Sequence, residues 1–350
     1  MPERVIREGT HPFRPRPRLS PLLRRPAVLL AAAILLALCI LASLFVGSSR
    51  IPADQVAHYL LHPDASNVSY NINVLRVERT IIGVLVGAAL AVSGAVMQAV
   101  TRNPLAEPGL LGVNAGASLG IVLGTAALGV LPVPGQLLLA AGGALTATAL
   151  VQVIGMIGGS TSSPVRLVLI GVAFSAFAGA VIRGVVLVMP NLFRTFIDWE
   201  VGSLTRADIP LLPMTLLVVL GAGAALLLAG ALDNIALGDD VAAALGTRVG
   251  LVRGLSLVVI TLLCATATTV AGPIGFVGLM APLTASWLMG PHRGWIVALC
   301  ALGGPVVVLA ADVLGRVLAR PGEMQVGLLT AFVGSPVLLL MVLRMKDRNS

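Results

Sequence analysis

Ten apolar stretches, each about as long as a helix that crosses a bilayer, dominate the sequence. A spanning helix needs about 20 mostly apolar residues, and such stretches recur from residue 27 to residue 344 of the 350-residue chain. They lie at 27–47, 80–100, 111–131, 136–158, 167–189, 210–232, 251–272, 274–290, 295–314 and 325–344. Only 11% of the residues are charged, against roughly 25% in a soluble domain. The sequence therefore predicts one all-α polytopic membrane domain with ten transmembrane helices at residues 27–345, and it excludes an ordinary soluble enzyme.

The first 26 residues differ from the rest of the chain. They hold seven arginines among several prolines, a composition that cannot bury a core and that predicts a disordered basic cytoplasmic tail at residues 1–26. A cleavable signal peptide over residues 1–48 is the alternative, but its apolar run is long for an h-region and no clear A-x-A site follows. With the N-terminus inside and ten spans, fifteen lysines and arginines fall inside and seven outside. The positive-inside rule thus predicts that both termini are cytoplasmic.

Neither the net charge nor the cysteines indicate a chemical site. The net charge of +8 is compatible with nucleic-acid binding, but only 4% of the residues are aromatic and the basic residues lie at the chain ends and between apolar stretches. No nucleic-acid partner is therefore expected. Cys39, Cys264 and Cys300 each lie in an apolar run without a CxxC pattern or clustered histidines. They predict neither a disulfide framework nor a metal site.

The sequence contains no recognisable catalytic motif. Its four histidines lie in loops or in the tail, and the only lysine is Lys346. A phosphate-binding loop of the GxxxxGK[ST] type is therefore impossible, so any ATP that drives this protein must bind to another chain. We expect no enzyme, no catalytic residues, no cofactor and no metal site in this chain.

Ionisable residues are scarce at membrane depth, which bears on the class of transporter. No Asp or Glu lies in the middle of an apolar run, whereas ion- or proton-coupled carriers usually need such groups. A secondary transporter nevertheless stays open as an alternative. Arg183 follows Arg166 by 17 residues, or about 25 Å along a helix, which places it near the outer surface with Asp312. Arg183 either extends to the interface or marks the mouth of a pathway for an anionic solute.

Glycines recur at helical spacing inside the spans. Gly112, Gly116, Gly120 and Gly124 follow one another at intervals of four, and Gly83 precedes Gly87 by the same interval. Small residues in this pattern let helix backbones pack closely in a membrane. The pattern predicts a compact bundle and says nothing about transport.

The loop between the sixth and seventh stretches predicts a short helix. Asp239 is placed as its N-cap with Asp240 in the first turn, and Val241, Ala244 and Leu245 form an apolar face before Gly246 ends the helix. Two turns are too short to be stable alone, so the apolar face needs a groove. That groove belongs either to the same bundle or to a partner protein.

Several longer segments resemble the FecCD-type permeases, the membrane subunits of ATP-binding-cassette (ABC) importers for ferric siderophores, haem and cobalamin. Specific signals are NPLAEPGLLG at residues 103–112 and GPIGFVGL at residues 272–279. The resemblance extends over most of residues 75–345 and is carried by Arg79–Gln98, Arg102–Ala117, Ala236–Gly246, Ala271–Leu279, Ala311–Arg316 and Gly322–Gly327.

The resemblance implies a type II ABC importer permease fold with ten helices in the plasma (inner) membrane. It implies four partners: a dimer of cytosolic ATP-binding subunits, a second permease subunit that is identical or homologous, an extracytoplasmic substrate-binding protein, and the substrate itself. The pathway would lie between the two permease subunits, with Arg183 near its mouth. Arg76, Arg79 and Arg316 would dock carboxylates of the binding protein. The segment that couples to the ATPase would comprise Leu237, Gly238, Asp239, Asp240, Val241, Ala244, Leu245 and Gly246.

The chain departs from the family pattern at two places. Residues 281–287 read APLTASW, without the histidine and arginine usual there, and Glu78 stands where proline often precedes Arg79. Glu78 would partly neutralise its arginine neighbours. The outer segment 193–204, with Arg194, resembles the iron-siderophore members more than the cobalamin ones, and arginines such as Arg206 would suit an anionic ferric complex. A ferric siderophore is therefore the expected substrate, with haem or cobalamin as the alternative.

Overall fold

The computed structural model describes residues 21–49, 51–157, 164–205, 209–320 and 322–347. Residues 1–20 of the predicted tail and the predicted outer Arg206 lie outside these ranges. Within them the chain is helical and contains no strand. The α-helices are α1 Pro21–Phe45, α2 Ala53–Leu61, α3 Asn67–Tyr70, α4 Val77–Thr101, α5 Val113–Leu128, α6 Val133–Met156, α7 Pro164–Val188, α8 Leu192–Glu200, α9 Leu211–Ala236, α10 Asp239–Ala244, α11 Val249–Ala271, α12 Val277–Met289, α13 Arg293–Leu318 and α14 Val326–Asp347.

Ten of these helices coincide with the ten predicted apolar stretches. Among the described residues, seven helices are long and apolar enough to cross a membrane, and three shorter apolar helices lie at Val113–Leu128, Val277–Met289 and Val326–Leu340. The prediction of an all-α membrane protein is confirmed. Helices α5 and α12, with 16 and 13 residues, are shorter than the roughly 17 residues that a straight span needs.

The first helix begins earlier than the sequence predicts. It starts at Pro21 and contains Pro26, so the last six residues of the predicted tail belong to α1. Pro21 is the first residue of the helix, a position where the amide that proline lacks would have no partner within the helix.

Helix α4 is the centre of the bundle. Its residues from Ala89 to Val100 are all buried, and it packs against α9, α11, α12 and α13. Glycines make this contact close: a Cβ atom on Gly87 would lie 2.5 Å from the backbone nitrogen of Pro305 in α13. The predicted close packing through small residues is confirmed here.

The glycine ladder of α5 faces α6. A Cβ atom on Gly116 would lie 2.4 Å from the carbonyl oxygen of Gly143, and one on Gly120 would lie 2.3 Å from that of Leu139. The two backbones therefore touch with no side chain between them. In a membrane such contacts replace the apolar burial that holds soluble helices together.

Two short elements begin inside the bundle and not at its end. A Cβ atom on Gly94 would lie 1.8 Å from the oxygen of Gly278, so α12 begins beside a residue seven positions before the end of α4, or about 10 Å along its axis. A 3₁₀ turn at Pro108–Leu111 precedes α5. A Cβ atom on Gly171 would lie 1.9 Å from the carbonyl oxygen of Leu110 in this turn. Gly171 is the seventh residue after the start of α7. The segments before α5 and before α12 are therefore re-entrant.

Candidate functional site

Three arginines meet at the end of the bundle where α4 begins and α13 ends. Arg76, Arg79 and Arg316 line one pocket of about 190 Å³. Arg76 lies in a π-helical turn at Asn71–Arg76 that continues into α4, and Arg316 lies in the last turn of α13. The structure thus brings together the three residues that the resemblance assigns to docking. We call this the arginine pocket.

Asp312 accepts hydrogen bonds from two arginines of the arginine pocket. Its side chain is fully buried, with 0% exposure. Arg79 Nη2 donates to Asp312 Oδ1 at 2.6 Å, and Arg316 Nε donates to Asp312 Oδ2 at 3.0 Å. One buried carboxylate therefore holds two guanidinium groups from different helices, which gives a charge-assisted network in place of isolated buried charges.

Carbonyl groups at and just after the C-terminal end of α1 accept hydrogen bonds from Arg76, Arg316 and Arg320. The last carbonyl groups of a helix have no partner within the helix, and guanidinium groups are favoured there by the helix dipole. Arg76 Nη1 donates to Leu44 O at 2.9 Å. Arg316 Nη1 donates to Ser43 O at 2.8 Å, and Arg320 Nη2 donates to Gly47 O at 2.9 Å. The arginines thus fasten α1 to the bundle.

These internal partners were not visible in the sequence. Arg76 and Arg316 are only 5% and 1% exposed, and the Arg79 side chain is 11% exposed. Arg79 is therefore the most open of the three. The docking role of the three arginines stays a prediction, and Arg79 is its best-placed member because its guanidinium also reaches the rim of the pocket.

Glu323 lies at that rim, in the loop between α13 and α14. It pairs with Arg79 Nη1 and accepts a hydrogen bond from Ser48 Oγ at 2.7 Å. Burial raises the pKa of Glu323, but these two hydrogen bonds and the charges of Arg79 and Arg316 outweigh burial, so its pKa lies below the ordinary value. Glu78 lines the pocket but makes no ion pair among the described residues. Asp312 and Glu323, and not Glu78, are the carboxylates that pair with the arginines.

The short helix α10 lies at the opposite end of the bundle, between α9 and α11. Gly238 precedes it with φ of 119°, and Gly246 follows it with φ of 83°. Both values favour glycine. The predicted helix is confirmed, and its C-terminal stop lies at the predicted glycine.

The apolar side chains of α10 point away from the bundle. Leu237, Val241 and Leu245, spaced at intervals of four, are 64%, 47% and 58% exposed. Ala242 is fully buried and faces α9 and α11, while Asp240 and Ala244 are exposed. The sequence left open whether the bundle or a partner protein supplies the groove; within the described residues, the bundle does not cover this leucine–valine stripe.

Asp239 does not act as the predicted N-cap. The cap position belongs to Gly238, and Asp239 is the first residue of α10. Its carboxylate instead pairs with Arg102 and with Arg253, whose Nη1 lies 2.9 Å from Oδ2. Two arginines that approach from α4 and α11 outcompete the backbone amides for this carboxylate because charged donors form stronger hydrogen bonds.

Glu107 is a second carboxylate that the sequence analysis did not single out. It lies in the re-entrant segment before α5, and its Oε1 accepts a hydrogen bond from the backbone nitrogen of Phe276 at 3.1 Å. Gln98 of α4 donates to Leu279 O at 3.1 Å. Both side chains therefore bind the first turn of α12. The position of Glu107 inside the NPLAEPGLLG segment was its only sequence signal.

Arg183 lies on an exposed side of α7. Its side chain is exposed and forms no salt bridge among the described residues. Nearby apolar side chains on the same helix are also open, with Val172 48% and Phe177 61% exposed. Phe332 of α14 is 77% exposed.

Among the described residues, no group of three His, Cys, Asp or Glu side chains could hold a metal ion.

Comparison with known proteins places these features in one family. The FecCD transport family matches residues 35–344. The ferric enterobactin transport system permease protein FepD of Escherichia coli (strain K12) is 44% identical over 303 residues, covering 86% of this chain and 90% of FepD. The Fe(3+)-citrate import system permease protein YfmD of Bacillus subtilis (strain 168) is 38% identical and covers 88% and 91%.

A solved structure has the same fold. It is described as an inward-facing conformation of a metal-chelate type ABC transporter, and it superposes with a TM-score of 0.79 at 26% identity, covering 91% of this chain and 99% of that one. The family match at residues 35–344 includes the arginine pocket, α10 and the re-entrant segments. The chain is a multi-pass membrane protein and belongs to the FecCD transport family.

Proposed function

We propose that this chain is the permease subunit of an ABC importer that carries ferric siderophores, and that a separate chain binds and hydrolyses ATP. The single observation that carries the proposal is the match to the family from residue 35 to residue 344. The exposed leucine–valine stripe of α10 supports it, because no described part of the chain covers that stripe and a partner protein would.

The chain crosses the plasma (inner) membrane with both termini in the cytoplasm. The excess of basic residues at the chain ends supports this orientation. It directs the arginine pocket to the outside, where a substrate-binding protein delivers its cargo, and α10 to the cytoplasm, where ATP is available. Two candidate sites at opposite ends of one bundle are what an importer needs.

The binding protein docks at the arginine pocket. A carboxylate on each lobe of that protein would find positive charge at the rim, chiefly from Arg79. Charge pairing of this kind sets the register and the rate of docking more than the affinity. The existing pairs with Asp312 and Glu323 hold the guanidinium groups in fixed positions before the partner arrives, so little side-chain entropy is lost on docking.

The pathway forms between this chain and a second permease subunit, identical or homologous. The open apolar face of α7, with Val172 and Phe177, supports an interface on this side. Arg183 lies on the same helix near its outer end and would attract an anionic ferric complex toward the mouth of the pathway.

The α10 segment docks in a cleft of the ATP-binding subunit dimer. Leu237, Val241 and Leu245 supply an apolar ridge of the kind that fits a groove. Asp239, held by Arg102 and Arg253, fixes the helix to α4 and α11. A rigid-body movement of the ATPase would therefore move the ends of two membrane helices.

Ferric siderophore is the proposed cargo because two relatives that align with this chain over about nine tenths of their length are named as permeases for ferric enterobactin and Fe(3+)-citrate. Haem and cobalamin are the alternative cargoes, and an ion-coupled carrier is the alternative class.

The transporter class is tested by mass spectrometry of the complex that co-purifies with this chain from its native host in mild detergent. The proposal expects an ATP-binding subunit with a Walker motif. Recovery of this chain alone, even after gentle cross-linking, would favour a self-sufficient carrier.

A further inference from the structure

Two backbone positions with unusual dihedral angles lie near the re-entrant segments, one directly after α4 and one directly before α12. Among the described residues, Arg102 with φ of 52° and Phe276 with φ of 69° are the two non-glycine residues in the left-handed region. Residues other than glycine rarely adopt this backbone conformation, and it persists where surrounding contacts hold it. The contacts of both residues are therefore informative.

Arg102 joins the start of the re-entrant segment to α10. Its Nε donates to Ile235 O at 2.7 Å in the last turn of α9, and its Nη2 pairs with Asp239 at the start of α10. Arg253 holds the same carboxylate from α11. Arg102 is thus attached on both sides of the two-residue connection, Leu237 and Gly238, between α9 and α10.

Residues 102–107 form a braced turn. The backbone nitrogen of Ala106 donates to Asn103 O at 3.1 Å, and that of Leu105 donates to Asn103 Oδ1 at 2.9 Å. Pro104 restricts the backbone between them, and Ala106 is 1% exposed. A short turn with its own hydrogen bonds keeps its shape when one end is displaced.

Glu107 joins the other end of this turn to α12. Its Oε1 accepts from the Phe276 amide at 3.1 Å, directly before the first residue of α12. This contact lies inside the bundle, since α12 begins beside Gly94, about 10 Å from the end of α4. The turn therefore extends from the α10 end of the molecule to membrane depth.

We propose that residues 102–107 are a strut that passes displacement of α10 to the first turn of α12, and that Glu107 is the positioning residue at its inner end. This inference rests on the proposed function, because α10 is displaced only if an ATPase partner moves it. The strut gives the partner a further connection into the bundle besides the covalent ones through α9 and α11. It acts on α12, a helix other than the two against which α10 packs.

Three variants separate a strut from a structural contact. Glu107→Ala removes the acceptor, Glu107→Gln keeps an oxygen of the same reach, and Arg102→Ala releases the other end. Arg248→Ala is the control, because Arg248 is an exposed arginine at the same end of the molecule and forms no ion pair among the described residues. Each complex, with its ATPase and binding protein, is reconstituted in proteoliposomes, and substrate imported per ATP hydrolysed is measured.

The strut predicts that Glu107→Ala and Arg102→Ala each lower import per ATP about tenfold while ATP hydrolysis continues. Glu107→Gln and the control stay near the wild-type ratio. Because both losses break one connection, the double variant falls no further than either single one.

Two results would overturn the strut. One is an unchanged ratio in Glu107→Ala, and the other is a double variant whose losses multiply. A purely structural role would lower assembly, hydrolysis and import together and leave the ratio unchanged, which also counts against the strut. A wild-type complex that neither hydrolyses ATP nor imports substrate would instead contradict the proposed function, so the two failures are distinguishable.

Discussion

Arg79 and Asp312, 233 residues apart in sequence, form a buried ion pair with a distance of 2.6 Å between Nη2 and Oδ1. The pair joins the start of α4 to the end of α13. Asp312 also accepts from Arg316 one turn later on its own helix. Asp312 thus positions two arginines, and through Arg316, which donates to Ser43 O, it also helps to hold the end of α1.

Asp312→Asn should destabilise the fold. Loss of the carboxylate charge leaves the guanidinium groups of Arg79 and Arg316 without their ionic partner in a buried site, which costs about 3–5 kcal/mol. Denaturant unfolding in lipid nanodiscs measures the effect. Asp54→Asn, at an exposed position in α2, is the control and should change the free energy of unfolding by less than about 0.5 kcal/mol. Equal stability of the two variants would contradict the buried network.

Arg79→Gln should slow docking of the substrate-binding protein. The variant removes the most open guanidinium of the arginine pocket, and steering charges act mainly on the association rate. Surface plasmon resonance on nanodiscs should show a lower association rate, and the wild-type rate should fall as ionic strength rises. Arg320→Gln, which removes a guanidinium bound to Gly47 O, is the control. An association rate that responds neither to Arg79→Gln nor to salt would remove the docking role.

Leu245→Asp should uncouple ATP hydrolysis from transport without unfolding the chain. Leu245 is 58% exposed, so the charge costs little within the bundle but blocks an apolar cleft. We expect import to fall more than about tenfold with an unchanged melting temperature. Leu128→Asp, at the opposite end of the bundle and 66% exposed, carries the same charge as a control. Import that tolerates Leu245→Asp would show that α10 does not seat in the partner.

Two adjacent glycines of α6 should respond oppositely to alanine. A Cβ atom on Gly143 would lie 2.2 Å from Gly116 O, whereas one on Gly142 would meet nothing within 4 Å. Gly143→Ala should therefore destabilise the fold by about 1–3 kcal/mol, and Gly142→Ala should be neutral or stabilise it by up to about 1 kcal/mol. Thermal unfolding of the two variants, compared side by side, checks the order; a reversed order would contradict the α5–α6 packing.

The loop between α13 and α14 should loosen only in acid. The folded state lowers the pKa of Glu323, so its contribution to stability is present above the ordinary glutamate value of about 4.3 and is lost as the pH falls through the lowered value. Amide exchange of residues 322–325, corrected for intrinsic rates, should rise only below about pH 4. In Glu323→Gln the loop should already exchange faster at pH 7 and show no such step. A step in the wild type near pH 6 would contradict the assignment.

Much of the fold could be predicted because a membrane imposes a simple rule on the sequence. Apolar length alone located all ten apolar helices. Glycine spacing on α5 predicted a close helix contact, and the structure shows that its partner at Gly116 and Gly120 is α6. The helix at residues 239–244 could be predicted from Asp240, the apolar spacing and Gly246. These are local properties that follow from backbone hydrogen bonding and helical periodicity.

The partners of the charged residues could not be predicted. Arg79 and Asp312 are far apart in sequence, and nothing local indicates that they meet. Asp239 has the local features of an N-cap, but its carboxylate pairs with Arg102 and Arg253 because the tertiary fold brings those charges close. Glu107 lies outside every apolar run, so a search for acids within the runs overlooked a carboxylate at membrane depth.

Import of radioactive iron into proteoliposomes tests the central claim most directly. The vesicles hold this chain with its co-purified ATP-binding subunits, and the binding protein loaded with a ferric siderophore is added outside. The account predicts uptake that requires internal ATP and the binding protein, persists when an ionophore collapses the proton gradient, and is not blocked by excess haem or cobalamin. Uptake by this chain alone, driven by a proton gradient without ATP, would contradict it.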